Sequence, residues 1–445
     1  MKITNFEQTG LERVAMWLDS YEIGQLDEQA YKDALRTTNI FFVAEGINRI
    51  ASTLLCELKA SYIQQSQRYV SMTEDGFVLP DLSPADMEKA RQLTNESFEL
   101  YKKMSELKPG EFKGRPKNEN YLHGIPIEDA RYILPLSTKT NICVSMTGDK
   151  LFDLFRMLHE YKYKDVFLNF KQQLIKNLPK TIVACLPKES DRDKYKDALE
   201  DLYEPLIKQI TPAKPMVLLD RFANLDLQVG LGALTSTQSK TSSEILAAWG
   251  DDATDKARKI ADRVLGYGHY SIAEQARTTF GMMCSLVTYH QQVRHRLPET
   301  FREDLLSILL DIERPVLVPT TIKDSAFYEP FLQLIEKIKA FRIYVYETYG
   351  QDKAYPFLLN ADQIKMVTST NARMDAIMLA ERTCMNAQWE IRQLAIEKLN
   401  ILRELSDVLY EKALPSCVLG KCKEGKLSCG QQAQVKEYFA IRNES

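Results

Sequence analysis

The chain reads as an α/β (α+β) protein, helix-rich and made of two related halves. Three observations carry that reading. Long amphipathic runs recur along the 445 residues, short β-rich runs stand between them, and a weak repeat spaces equivalent segments by about half the chain. No G-x-G-x-x-G element occurs, so no Rossmann fold is expected.

In chain order, the first well-marked element is a helix over 84–107. Ser83 is placed to cap it, Pro84 takes the first helical position and Asp86 lies in the first turn. Thr181-Ile182-Val183-Ala184-Cys185-Leu186 and Pro215-Met216-Val217-Leu218-Leu219 read as β-rich stretches. Polar or Pro-bearing stretches at 188–196 and 211–215 mark a linker between the halves. A second helix, charged on one face and apolar on the other, is expected over 328–349, with Gly350 to end it. Another long amphipathic run covers 380–412, where Leu394, Ile396, Leu399, Leu402 and Leu405 fall near helical spacing.

The repeat is visible in three aligned pairs. Ala130-Arg131-Tyr132-Ile133-Leu134-Pro135 matches Ala354-Tyr355-Pro356-Phe357-Leu358-Leu359, and the segment ending at Leu158 matches the one ending at Arg382. Both pairs are 224 residues apart (131 to 355, 158 to 382). Position 56 matches 294 at a spacing of 238. The expected organisation is a half at 1–210, a half at 211–416 and a Cys-containing tail at 417–445.

Composition narrows the function. With 44% apolar and 27% charged residues and a net charge of −3, the chain is globular and has no basic field directed at nucleic acid. No apolar run approaches the roughly 20 residues that span a bilayer, and the N-terminus has no basic-then-apolar signal. A cytoplasmic protein with no membrane partner is expected. Of five histidines, His269, His290 and His295 fall within 27 residues, so chemistry is expected there.

That region opens with Gly266-Tyr267-Gly268-His269-Tyr270-Ser271-Ile272-Ala273-Glu274, where the glycines permit a tight turn and Ser271 is a candidate cap. An apolar stretch over 280–287 leads into His290-Gln291-Gln292-Val293-Arg294-His295-Arg296. On a helix, Gln291, Arg294 and His295 share one face. Such a group is costly to bury unless an anion meets it, and guanidinium forks suit phosphate. Arg373 and Arg382 are nine residues apart, which puts them on roughly opposite faces of a continuous helix. The first half carries Ser61-Tyr62-Ile63-Gln64-Gln65-Ser66-Gln67-Arg68-Tyr69.

Joined head to tail, the Arg-His-Arg run and the Ser61 stretch would read R-H-R-x-x-S-x-x-x-x-S-x-R-Y. This resembles the signature of flavin-dependent thymidylate synthases. Four elements in order strengthen the resemblance, the R-H-R run among them: G-H-x-S-x-x-E at 268–274, R-H-R at 294–296, N-A-R at 371–373 and A-Q-W-E-I at 387–391. It covers about 230–410 well and 50–180 loosely. It implies helices around a mainly antiparallel sheet and the conversion of dUMP to dTMP. Methylenetetrahydrofolate would supply the carbon, FAD the hydride and NADPH the reducing power. The family's homotetramers build each site from two protomers, so a homodimer acting as a pseudo-tetramer is implied here.

Residue by residue, the resemblance assigns dUMP binding to Gln291, Arg294, Arg382, Gln64, Ser66, Arg68 and Arg131. It assigns FAD binding to Ser236, Ser271, Glu274, Arg294, His295, Arg296, Asn371 and Arg373, and catalytic roles to Arg294, His295, Arg296, Arg382 and Ser61. Each half departs from the pattern where the other keeps it. Cys56-Glu57-Leu58 stands for R-H-R in the first half, with Thr147-Gly148-Asp149 for N-A-R and Leu158 for the later arginine. In the second half Glu299 stands for the serine after R-H-R and Tyr355 for Arg131, and 301–307 has no S-x-R-Y. Gln64 replaces a Glu. Two alternatives remain at this stage: a flavin-dependent pyrimidine hydroxymethylase, and a non-catalytic nucleotide-binding paralogue.

The tail has Cys417, Cys422 and Cys429 in a C-x4-C-x6-C spacing beside several lysines. No fourth ligand is adjacent and the spacing is not that of a standard zinc knuckle. The neighbouring lysines favour thiolates, which leaves redox or metal chemistry as an alternative; no metal is expected, and a mobile tail is the simpler reading.

Overall fold

The computed structural model describes residues 1–22, 24–73, 76–111, 116–190 and 192–441. Asp191 of the expected linker and 442–445 of the expected tail lie outside the described residues. The chain forms two compact units whose segments interleave. The first comprises Met1–Leu202, Ser285–Arg296 and Asp304–Ile364; the second comprises Tyr203–Cys284, Leu297–Glu303 and Lys365–Ser445.

The first unit contains strands β1 (Lys2–Thr9), β2 (Asn39–Asn48), β3 (Ser61–Gln64) and β4 (Lys139–Thr147), in the order β1-β2-β4-β3 with antiparallel pairing. Alternation selects the covered face: Ile40, Phe42 and Ala44 of β2 and Ile142, Val144 and Met146 of β4 are buried. The helix Lys164–Ile175 covers that face, and Phe170 meets Phe42 with ring centroids 6.0 Å apart. The expected helices form at Pro84–Met104 and Tyr328–Tyr349. The Ser83 hydroxyl accepts from the Asp86 N–H, and Gly350 ends the second helix at φ 97°.

The second unit contains β5 (Met216–Arg221), β6 (Arg277–Ser285), β7 (Glu299–Arg302) and β8 (Gln363–Asn371), in the order β5-β6-β8-β7. Its core joins Val229, Ala261, Phe280, Leu379, Leu399 and Leu402 to Cys417, Val435 and Phe439. The residues of the expected tail described up to 441 are thus partly built into this core, through the helix Gln432–Ile441 and Cys417.

The two sheets have the same strand order, and their elements follow the sequence spacings. β4 and β8 start 224 residues apart (139, 363), as do the one-turn helices Arg131–Ile133 and Tyr355–Phe357. β3 and β7 start 238 apart (61, 299), as do β2 and β6 (39, 277).

Four local expectations are corrected. Lys180–Cys185 is a helix, with Ile182 its buried residue; a short apolar run carries no period that separates strand from helix. The 380–412 run is divided into Ala372–Arg382, Trp389–Leu405 and Asp407–Tyr410, because Gln388 and Ser406 cap new helices with their side chains. The helix before Arg294 stops at Gln292, so Gln291, Arg294 and His295 share no helix face; most of the apolar run before it is strand β6. Ser271 lies inside the 3-10 segment Tyr270–Gln275 and does not cap it.

Candidate active site

The R-H-R segment and the Ser61–Tyr69 segment, more than 200 residues apart in sequence, meet within the first unit. Strand β3 alternates, so Tyr62 and Gln64 point inward and Ser61 outward. Gln64 donates to the Ser52 hydroxyl and accepts from Arg294 Nη2 at 3.2 Å. Arg296 Nη1 donates to Ser61 Oγ at 2.9 Å. His290 Nδ1 lies 2.8 Å from Thr53 Oγ1, and the Tyr289 hydroxyl donates to Glu57 at 2.7 Å. These contacts tie the helix Leu286–Gln292 and its following turn to Arg49–Leu55 and β3.

Arg68 and Arg131 converge on Glu128. Arg68 Nε donates to its carboxylate at 2.8 Å and Arg131 Nε to its backbone carbonyl at 3.0 Å. Asn360 holds the Arg131 carbonyl at 2.9 Å. Ser66 accepts from the Arg68 N–H within a turn at 66–70, and with Gln67 it lines a cavity of about 250 Å³.

Two residues complete the group: Arg49, which the sequence reading missed, and His290, which it placed in the histidine-rich stretch without giving it a role. Arg49, 2% exposed, lies within electrostatic reach of Arg131 and Arg294, and His290, 1% exposed, within reach of all three. The sequence signal is weak: Arg49 opens the helix Arg49–Leu55 and His290 lies in Leu286–Gln292, and neither belongs to a recognised motif. Buried nitrogens with no partner point to what is missing. They are Arg49 Nε, Arg131 Nη2, Arg294 Nε and His290 Nε2, and both polar atoms of the buried Gln67 side chain join them. Burial and the mutual repulsion of the arginines hold Arg49 and His290 well below their ordinary pKa values. Burial lowers Arg131 to about 10 despite the opposing fields of Tyr132 and Glu128, and it lowers Arg294 as well. The Cys56 thiol is pushed up to about 12 by burial. The buried guanidinium N–H groups of Arg49, Arg131 and Arg294, in a cluster with more arginines than its one paired acid, Glu128, call for an anion with several acceptor oxygens.

The other expected residues are placed as follows. Gln291 is buried and turns its Nε2 back toward the Val287 carbonyl at 3.4 Å. His295 is half-buried in the turn after Gln292, and Arg296 is exposed. In the second unit, Arg373 Nη1 pairs with Glu274 Oε1 at 2.5 Å, both side chains 45% exposed. Asn371 is buried and caps the helix Ala372–Arg382 by accepting from the Met374 N–H at 2.9 Å. Arg382 ends that helix, half-buried. Ser271 is exposed beside Glu274, and Ser236 follows the helix Leu225–Thr235 with its hydroxyl on the Ala233 carbonyl.

The sequence model of the thymidylate synthase complementing protein family matches residues 21–166 and 218–406. The chain belongs to this family. Its relatives include the flavin-dependent thymidylate synthase of Geobacter sulfurreducens, 33% identical over 188 residues, which are 40% of this chain and 78% of that protein. The flavin-dependent thymidylate synthase of Clostridium tetani is 31% identical over 210 residues, covering 42% and 83%. That of Thermococcus kodakarensis is 34% identical over 209 residues, covering 43% and 85%. No described helix is long and apolar enough to cross a membrane.

Proposed function

We propose that this protein is a flavin-dependent thymidylate synthase that methylates dUMP with methylenetetrahydrofolate as carbon donor and NADPH as reductant, and that it arose by tandem duplication. The observation that carries the reading is the group Arg49, Arg68, Arg131 and Arg294, assembled from both motif segments, with buried unpartnered nitrogens and Glu128 as its paired acid. A nucleotide phosphate supplies the charge and acceptors this group lacks. Two family matches in one chain, and relatives that align over about two-fifths of it yet most of their own length, support the duplication. So do the two sheets of one strand order.

In this reading Ser66, Arg68 and Arg131 hold the phosphate, and Arg49 adds a third positive contact to the two of the family pattern. Arg294, steadied by Gln64, polarises the uracil carbonyl oxygens as negative charge develops there, and Arg382 is a further dUMP-binding candidate. Gln291 completes the dUMP set. Ser61 holds Arg296 in place through its hydroxyl. His290 stays neutral, so it adds no charge to a crowded cationic site.

For the flavin, the donor set fits the polar part of the dinucleotide. Arg373, fixed by Glu274, and Ser271 present a cation and a hydroxyl at the surface, and Ser236 is exposed as well. Asn371 fits only through its amide nitrogen, because its oxygen caps a helix. Arg294, His295 and Arg296 are the remaining flavin-binding candidates. When bound, the flavin supplies the hydride.

The test is the mass of the product formed from dUMP with FAD, NADPH and methylenetetrahydrofolate. One added methyl group is expected. A hydroxymethyl product would replace this reading with a hydroxymethylase, and unchanged dUMP would overturn it. The composite site has its own test: Arg68→Ala and Arg294→Ala should each weaken dUMP binding by about 100-fold, the loss of charge-assisted hydrogen bonds. Normal binding by either variant would refute it.

A further inference from the structure

The first unit has a local two-fold symmetry that relates the nucleotide site to a second place in the same unit. The runs 132–138 and 356–362 exchange backbone hydrogen bonds reciprocally. The Leu136 N–H donates to the Leu358 carbonyl at 2.7 Å and the Asn360 N–H to the Leu134 carbonyl at 3.0 Å. The Ser137 N–H donates to the Pro356 carbonyl at 2.7 Å and the Ala361 N–H to the Tyr132 carbonyl at 3.0 Å. Each bond maps onto its mate by the spacing of 224, the pattern of an isologous contact. The helices Arg49–Leu55 and Leu286–Gln292 are held alike. The Ile50 N–H donates to the Leu136 carbonyl at 3.1 Å, and the Val287 N–H to the Asn360 carbonyl at 3.3 Å.

The spacings put Asp304 at the place of Ser66 (66 to 304) and Tyr355 at that of Arg131. The local geometry agrees. Ser66 Oγ accepts from the N–H two residues on, that of Arg68, at 3.2 Å; Asp304 Oδ1 accepts from the Leu306 N–H at 2.8 Å. The first half contributes Lys162, four residues after Leu158, the counterpart of Arg382. These side chains meet. Lys162 Nζ donates to Asp304 Oδ2 at 2.8 Å, and the buried Tyr355 hydroxyl donates to Asp304 Oδ1 at 3.3 Å. Glu160 lies 3.8 Å from Lys162 and accepts from Arg192 Nη1 at 2.9 Å. In the nucleotide site the arginines outnumber their acid and leave buried nitrogens without partners. Here both cations meet carboxylates, and no atom of Asp304, Glu160, Lys162 or Tyr355 is among the buried unpartnered atoms of the described residues.

We propose that the carboxylate of Asp304 fills the anion position of a second, symmetry-related nucleotide site, so that Lys162 and Tyr355 hold a side chain where Ser66 and Arg131 hold a phosphate. The inference rests on the reading of the chain as a duplicated nucleotide-binding protein. A carboxylate built into the chain leaves no buried cation unpaired, and it is held without the entropy cost of binding a free ligand. Asp304 and Glu160 also repel an incoming phosphate, since like charges brought together oppose association. One site is thus open to an anion and its mate is closed by an internal one. Restoring the serine of the first half at 304 should reopen the closed site to an oxoanion.

The experiment compares the wild-type chain with Asp304→Ser by thermal denaturation, in chloride and in inorganic phosphate of equal ionic strength. Serine caps helices as aspartate does, so the helix Leu305–Leu310 keeps its start. Phosphate taken by the open site stabilises both chains alike. The variant should show an extra rise of about 2 °C or more in phosphate, and Lys162→Met added to it should abolish that extra part. Equal shifts in the two chains, or an extra shift that survives Lys162→Met, overturns the proposal. If Asp304→Ser fails to fold, equilibrium dialysis of the wild-type chain against phosphate decides. No more than about one phosphate per chain is expected, and two overturn the proposal. Neither readout depends on thymidylate synthesis. The product assay reads the open site alone, so its failure and the failure of this inference are distinguishable.

Discussion

Arg49 shows most directly how a buried charge serves a ligand. Its guanidinium is 2% exposed, close to two other cationic side chains, and has an unpartnered Nε. Such a group costs stability until an anion arrives. Arg49→Met should therefore raise the melting temperature of the ligand-free protein, by the equivalent of about 1–4 kcal/mol. It should also weaken dUMP binding by about tenfold or more. Calorimetry with and without dUMP measures both, and a fall in ligand-free stability would refute the assignment. His290 gives a prediction in pH. Its folded pKa is held well below 6.5 by burial and by the fields of Arg49, Arg294 and Arg131. Below pH 6.5 the unfolded chain binds a proton that the folded chain refuses. The stability contributed by neutral His290 is thus complete above that pH and declines as pH falls, by up to about 1.4 kcal/mol per unit. His290→Gln should flatten this part of the stability profile in urea unfolding between pH 7.5 and 5.

At the scale of elements, helix ends and strand edges carry the site's side chains. Arg294 follows a helix whose N-terminus is capped by Ser285, through its hydroxyl and the Thr288 N–H at 3.2 Å. Gln64 ends an edge strand, Arg131 begins a one-turn helix, and Arg382 ends a full one. In the second unit one buried ion pair anchors two of these elements. Lys398 of the helix Trp389–Leu405 meets Asp375 of Ala372–Arg382 at 2.6 Å, and Asp375 also accepts from Thr370 of β8. Lys398 lies 4.8 Å from the centroid of the Phe280 ring. Lys398→Met would leave the Asp375 carboxylate buried without its cation, at a cost of about 3–5 kcal/mol. Thermal denaturation should show a large loss, and Asp375→Asn in the same chain should recover part of it.

At the scale of the whole molecule, the division of labour between halves sets the stoichiometry. Each half lacks the motif the other keeps, so two half-sequences make one nucleotide site. Isothermal titration should give one dUMP per chain, and light scattering should give a dimer of the 51.1 kDa chain. Two dUMP per chain would mean that the second half's Glu299 and Tyr355 still support a site, against the proposed specialisation. The compact units do not coincide with the sequence halves, because 285–296 and 304–364 fold with the first unit.

The sequence by itself determined the helices with strong local signals. Ser83-Pro84 and Gly350 mark ends through capping and backbone freedom, which act within a few residues. It also carried the motif residues and the repeat spacings of 224 and 238, since these are matters of order along the chain. It could not separate helix from strand at 181–186, nor see the breaks at 388 and 406, where side-chain caps overrode a continuing apolar pattern. Only the tertiary structure brought Arg294 to Gln64 and Arg296 to Ser61, and only it showed Arg49 as a buried cation. The reason is physical. Caps and periods are local, whereas an unmatched charge is defined by what surrounds it after the chain has folded.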